Sequence, residues 1–197
     1  MMTGQGPDPV HRRNRSLLVV IYVLFFGGML VAGLLRFSGW QPQGTKNKGE
    51  MLQPYADLRQ YAPTLAAGDV YRWSDSPRTW RIVVAPQPCD GARSTDCREL
   101  LRGIDTVWQL MGKDADRVHV LWVGPPPAGL ALPREVRVVR ADAVLPAQLP
   151  HSGDQGSDQA GDTAWLVDPN GFVVLRYAPG FDPGDLRTDL SRLLKVN

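Results

Sequence analysis

An uncharged stretch of 20 residues, SLLVVIYVLFFGGMLVAGLL from Ser16 to Leu35, limits what this chain can become more than any other feature. As a helix rising about 1.5 Å per residue it spans roughly 30 Å, the thickness of a bilayer's hydrocarbon core. A cleaved secretory signal has a shorter apolar region followed by a small-x-small site. Here RFSGWQP follows and offers no such site. The run therefore predicts an uncleaved transmembrane anchor over 16–37. HRRNR precedes it and only Arg36 closes it, so the positive-inside rule puts residues 1–15, a basic tail, in the cytoplasm. Everything beyond the anchor is then exported. The expectation is a single-pass membrane protein with its C-terminal domain outside the cytoplasm and the lipid bilayer as its first partner.

Topology bears on the two cysteines, Cys89 and Cys97. In an exported compartment neighbouring thiols oxidise unless something keeps them reduced or metallated, whereas in the cytosol they default to free thiols. Charge excludes one class of partner. Taking Arg12, Arg13, Arg15 and Asp8 from the 22 basic and 20 acidic residues leaves 19 of each. That balance supplies no basic face for counterion release, so no nucleic-acid partner is expected.

Beyond the anchor, residues 38–64 read as a tether and lead-in, starting with the polar, glycine-rich GWQPQGTKNKG. EMLQPYADLRQYAP fits either a short helix or an extended arm, both limited by Pro54 and Pro63. Residues 65–197 read as the exported domain. TWRIVVAP is a short β-branched and aromatic run stopped by proline, a buried strand. From Cys97 to Met111, Leu100, Leu101, Ile104, Val107, Trp108 and Met111 recur at spacings of three and four, one face of a helix. Ser94, Thr95 or Asp96 suits its start and Gly112 its end. RVHVLWVG and EVRVVRA are two further strands, followed by the short segment DAVLPAQL and the polar loop PHSGDQGSDQAGD. TAWLVDPNGFVVLRYAPG is a hairpin closed by the turn DPNG, with Asp168 a turn former. The last helix has Asp182 as cap, Pro183 at its first position and a stripe of Leu186, Leu190, Leu193 and Leu194.

The order is β-α-β, a strand, then β-β-α. A helix joining the first two strands makes them parallel, and the terminal hairpin completes a mixed sheet covered on both faces. This is the α/β plan of a thioredoxin-like mixed sheet with flanking helices, preceded by one transmembrane helix. The cysteines fall at the first strand-to-helix junction.

The C-terminal AWLVDPNGFVVLRYAPGFDPGDLRTDLSRLLK resembles the end of thioredoxin-like proteins of the Sco/SenC group. NKGEMLQP is similar to the N-G-x-L-x-P sequence that follows the anchor in membrane-tethered proteins associated with cytochrome c oxidase assembly. The resemblance covers roughly residues 47–197. It implies help in assembling, or in copper and thiol handling for, a terminal oxidase, with a membrane respiratory complex or its assembly factors as partner. Sco proteins bind copper through C-x-x-x-C and a histidine shortly before the terminal hairpin. Here the spacing is C-x₇-C, and Asp162-Thr163-Ala164 stands before the hairpin, where a thioredoxin oxidoreductase has a cis-proline.

Three readings of the cysteines stand open. A disulfide closing a nine-residue loop is a staple worth about 2–3 kcal/mol. Cu(I) prefers soft thiolates, and Cys89, Cys97 and an imidazole, His151, make a three-coordinate set. A reversible couple needs an accessible attacking thiol, Cys89, and a resolving partner, Cys97. His119 reads as a core or sheet-face residue, and His11 belongs to the cytoplasmic tail. Trp73, Trp80, Trp108, Trp122 and Trp165 read as core. There is no nucleophile elbow, phosphate loop or zinc-hydrolase spacing, so beyond thiol chemistry the sequence points away from an enzyme. A non-catalytic interaction module stapled by the Cys89–Cys97 disulfide and an exported thiol–disulfide oxidoreductase are the alternative functions.

Overall fold

A computed structural model describes residues 9–38, 46–74, 76–141, 144–150 and 162–196. It divides into two units, Met1–Thr45 and Lys46–Asn197. The first holds helix α1, Pro9–Phe37, of which Arg15–Phe37 is long and apolar enough to cross a membrane. Its Leu, Val, Ile and Phe side chains offer no charge that a bilayer would have to exclude.

The second unit is one six-stranded sheet, ordered β1-β6-β5-β2-β3-β4. Its strands are β1 (Glu50–Asp57), β2 (Trp80–Ala85), β3 (Val118–Val123), β4 (Val136–Val139), β5 (Thr163–Val167) and β6 (Phe172–Tyr177). Three helices accompany it, α2 (Ser94–Gln109), α3 (Val144–Gln148) and α4 (Pro183–Val196). β2, β3 and β4 run parallel, while β5, β6 and β1 are antiparallel to their neighbours. β2 lies in the middle, and apart from Arg81 its residues are apolar on both faces because both are covered. Ile82 and Val84 face a core that holds Leu101, Ile104 and Val107 of α2 and Leu186, Leu190 and Leu194 of α4. Val83 faces a second core with Leu121, Trp165, Leu58, Leu145 and Leu149. Full burial of each such side chain contributes roughly 1.5–3 kcal/mol.

The predicted α/β mixed sheet, its strand–helix order and its helix faces are all present. Trp80, Trp108, Trp122 and Trp165 are buried as expected. Trp73 is half-buried instead and lines a surface cavity with Arg59, Ser74, Asn170 and Phe172. The DPNG turn forms as read: Asp168 Oδ1 accepts from the Phe172 N–H at 2.8 Å, and Gly171 adopts φ +98°. A side chain there would also meet Trp73 at 3.1 Å.

Two local readings change. The lead-in segment takes the extended alternative, and it is not a loose arm but β1, an edge strand whose pairing with β6 breaks between Met51 and Ala56. Pro54, which cannot donate to a ladder, sits in that break. Ser94, Thr95 and Asp96 do not cap α2. A 3₁₀ turn, Gly91–Arg93, runs straight into the helix, and those residues form its first turn.

The lead-in is held from below. Asp189, on the inner face of α4 and 1% exposed, accepts at one oxygen from the Lys48 N–H and the Gly49 N–H, both at 2.8 Å, and from the Tyr177 hydroxyl at 3.0 Å. Burial and then the Asp189 charge raise the Tyr177 pKa, which keeps the phenol a donor. A Cβ on Gly49 would fall 2.8 Å from the Tyr177 ring, so no larger residue fits without displacement.

Two ionisable groups, one buried and one half-buried, give the fold opposite responses to pH. Glu135, 6% exposed, has its pKa raised by burial and then by Asp105, against Arg134. A raised folded-state pKa means stability that is present below the ordinary value of 4.5 and lost as pH rises. Glu135→Gln is therefore expected to stabilise the full chain in detergent by about 1 kcal/mol at pH 7, with the gain vanishing toward pH 4. A variant less stable than wild type at pH 7 would refute this.

His119 is half-buried in β3. Arg81 Nε donates to the Tyr71 oxygen at 3.0 Å, and the same hydroxyl pairs with His119 Nδ1, 2.9 Å away. Burial, then Arg137, then Arg81 lower the His119 pKa from 6.5 to about 4. The neutral ring's contribution is complete above pH 6.5 and lost as pH falls toward 4. Unfolding midpoints measured across that window should decline in wild type and flatten in His119→Gln, whose amide still pairs with Tyr71. Parallel curves would remove His119 as the cause.

Candidate functional site

β2 ends at Ala85, and Pro86 and Pro88 keep the chain from continuing as a strand. Cys89 follows, then the Gly91–Arg93 turn, then α2 with Cys97 as its fourth residue. This path folds the C-x₇-C segment back on itself. The Cα atoms of Cys89 and Cys97 come to 5.8 Å and the sulfurs are bonded at 2.04 Å. The wide C-x₇-C spacing is thus closed by one 3₁₀ turn and one helical turn.

The two sulfurs are not equivalent. Cys97 is completely buried in the core beneath α2, whereas Cys89 is half-buried in the loop. Only Cys89 presents a face to an incoming nucleophile. Cys97 lies at the positive end of α2, where a thiolate leaving group is favoured. The Gln87 carbonyl oxygen stands 3.6 Å from the Cys89 sulfur and 3.9 Å from the Cys97 sulfur. With the sulfurs bonded, neither carries a proton to donate to it.

A carboxylate from the neighbouring strand braces this loop. Asp162, just before β5, accepts from the Gln87 N–H at 3.0 Å and from Arg93 Nη2 at 2.6 Å. By the resemblance drawn from the sequence, this is where a thioredoxin oxidoreductase would have a cis-proline. The cis peptides among the described residues, Gln53–Pro54 and Ser76–Pro77, are elsewhere. The sequence flagged Asp162 only for what it replaces. The usable signal is that an acid stands there, across from an arginine placed between the two cysteines.

Of the sequence-derived metal ligands, Cys89 and Cys97 are together but joined to each other. His151 lies outside the described residues. His119 pairs across the sheet with Arg81, while the cysteine loop leaves β2 at its other end after Ala85. Among the described residues no group of three or more His, Cys, Asp or Glu is arranged to hold a metal ion. A disulfide has no thiolate to offer Cu(I), so the donor set described here does not fit copper.

Residues 80–197 match the family described as transmembrane-like, thioredoxin-like, C-terminal domain. No curated protein matches the sequence. Among solved structures, ScoI of Bradyrhizobium japonicum, determined with copper bound, is 16% identical over 66% of this chain and 95% of its own, with a TM-score of 0.45. BsSco, a member of the Sco family of cytochrome c oxidase assembly proteins described with a disulfide switch, is 11% identical over 79% of this chain and 100% of its own, at 0.49. A putative thiol:disulfide interchange protein DsbE from Chlorobium tepidum is 18% identical over 78% and 100%, at 0.43. At these identities the likeness is one of fold.

Proposed function

This chain belongs to the family of transmembrane-like, thioredoxin-like C-terminal domains, and on that premise we propose that it is a membrane-tethered, exported thiol-handling protein that serves the assembly of a respiratory terminal oxidase. The observation that carries the reading is the asymmetry of the Cys89–Cys97 pair at the β2–α2 junction: one sulfur reachable, the other sealed at a helix start. Arg12, Arg13 and Arg15, ahead of the apolar run of α1, support an N-terminus in the cytoplasm of a bacterial inner membrane and a sheet domain in the periplasm. The oxidase rests on the resemblance in the NKGEMLQP and LVDPNG segments.

The chemistry is an exchange with an exported dithiol. The incoming thiolate sulfur bonds to the Cys89 sulfur, and the electron pair of the S–S bond passes to Cys97, which leaves as a thiolate. The partner's second thiolate then attacks the mixed disulfide and releases Cys89. Each released thiolate takes up a proton; the partner is oxidised by two electrons and the pair reduced. Copper handling would belong to the dithiol form. An anaerobic Cu(I) titration of the reduced full chain against a chromophoric chelator reads it: binding of one ion, lost in Cys89→Ser, supports copper handling, and no competition removes it.

The deciding experiment replaces both cysteines by serine in the producing cell and measures oxidase activity alongside the amount of this protein. Loss of oxidase activity at unchanged protein level is the expected result. Full oxidase activity, with only a lowered melting temperature, would favour the second reading, a docking module stapled by its disulfide. The complete burial of Cys97 is the observation on that side.

A further inference from the structure

We propose that Asp162 is the positioning residue of the cysteine pair, its carboxylate tying both limbs of the Cys89–Cys97 loop to β5 so that the dithiol is held ready to close again. This rests on the thiol-cycling reading above. Gln87 lies two residues before the first cysteine and Arg93 four residues before the second, so one oxygen of Asp162 grips the loop on both sides of Cys89. The Asp162 side chain is 13% exposed and that of Arg93 30%, which shields a short, charge-assisted contact from solvent.

Through Gln87 the same carboxylate fixes the carbonyl that stands within 4 Å of both sulfurs. When two electrons and two protons enter, the S–S bond breaks and each sulfur gains a hydrogen. The Gln87 carbonyl is then the acceptor within reach of either thiol. A loop freed from this grip, with Gly91 two residues after Cys89, would let Cys89 move away from Cys97, which stays rooted in α2. Closure depends on the effective concentration of one thiol at the other, and loss of positioning lowers it.

Charge gives a second, separable effect. Arg93, in the turn between the two cysteines, neutralises Asp162. Asp162→Asn retains an oxygen for the Gln87 N–H but leaves the Arg93 guanidinium without its anion, and a nearby cation favours thiolate over thiol.

The test uses the full chain in detergent micelles. It is equilibrated with mixtures of reduced and oxidised glutathione, and the dithiol fraction is read by maleimide gel shift. Alkylation rates of the reduced protein are followed against pH. Asp162→Ala and Arg93→Gln should each weaken closure about tenfold or more, about 30 mV for this two-electron couple. Asp162→Asn should move the alkylation profile to lower pH. Melting temperatures separate positioning from bracing: variants that melt earlier yet close as wild type does would overturn the proposal. A wild-type disulfide that exchanges with neither glutathione nor dithiothreitol would remove the cycling reading itself, and the proposal with it.

Discussion

Asp189→Ala is expected to destabilise the sheet domain by about 3–5 kcal/mol, out of a total that for a domain of this size is on the order of 5–15 kcal/mol. The reason is the number of donors that lose their acceptor at once. Asp189 is 1% exposed and one of its oxygens takes three hydrogen bonds, from the Lys48 and Gly49 amides and the Tyr177 hydroxyl. Alanine leaves all three buried or half-buried groups unpaired, and each costs about 1–3 kcal/mol before relaxation. Asp189→Asn should be milder, because an amide oxygen still accepts. Its NH₂ would then point toward Arg192, 3.7 Å from the other carboxylate oxygen, donor against donor. Tyr177→Phe removes one bond and should cost about 1 kcal/mol. Urea unfolding of the three variants in detergent gives the ranking. An Asp189→Ala loss no larger than that of Tyr177→Phe would show that the lead-in is held by the β1–β6 pairing and not by this carboxylate. The consequence reaches beyond stability, since residues 46–49 connect the sheet domain to the chain that carries α1.

What was legible in the sequence and what was not divides along a physical line. Elements whose residues repeat with a period were readable. The stripes of α2 and α4, the apolar run of β2 and the DPNG turn follow from local spacing, and all are where spacing puts them. β1 was not readable, because its pattern is interrupted by Pro54 and it becomes a strand only by pairing with β6, more than a hundred residues away. The caps of α2 were misread for a similar reason: the disulfide loop delivers the chain already in helical conformation, so no side-chain cap is needed. The site was half legible. Both cysteines and their junction were visible, but their closure into a bond depends on a turn that seven mixed residues do not announce. Asp189 and Arg81 were passed over, and Asp162 was noted only for the proline it replaces. Each is a charged residue inside or beside an apolar pattern, with partners in distant segments that no local window contains. An acid at position 189 interrupts the leucine stripe of α4 between Leu186 and Leu190, and an arginine at 81 interrupts WRIVVA. Such interruptions are the signal to look for.

Arg81 carries the second large effect. It is 3% exposed in the middle of the sheet, and every acceptor it meets is neutral: Tyr71 Oη at 3.0 Å, the Asp168 and Pro169 carbonyls at 3.1 and 2.9 Å, and the Ser74 carbonyl at 2.9 Å. It also lies over the rings of Tyr71 and Trp73, at 5.8 and 5.7 Å from their centroids. One guanidinium therefore binds the 71–74 segment and the DPNG turn to β2. Arg81→Leu keeps much of the volume but takes a donor from the Ser74, Asp168 and Pro169 carbonyls, of which Asp168 keeps the Gly171 N–H, and is expected to cost about 3–5 kcal/mol. Arg81→Lys should recover little, since an ammonium cannot span acceptors that a planar fork reaches on three sides. The two variants also report on His119. Because the Arg81 charge is one of the causes that lower the imidazole's pKa, Arg81→Leu should let His119 protonate at a higher pH, and Arg81→Lys should not. Histidine titration by NMR, read with urea unfolding, separates charge from hydrogen bonding. If Arg81→Leu unfolds at wild-type denaturant concentrations and leaves the His119 titration unchanged, the guanidinium is neither the clasp nor the charge that this geometry assigns to it.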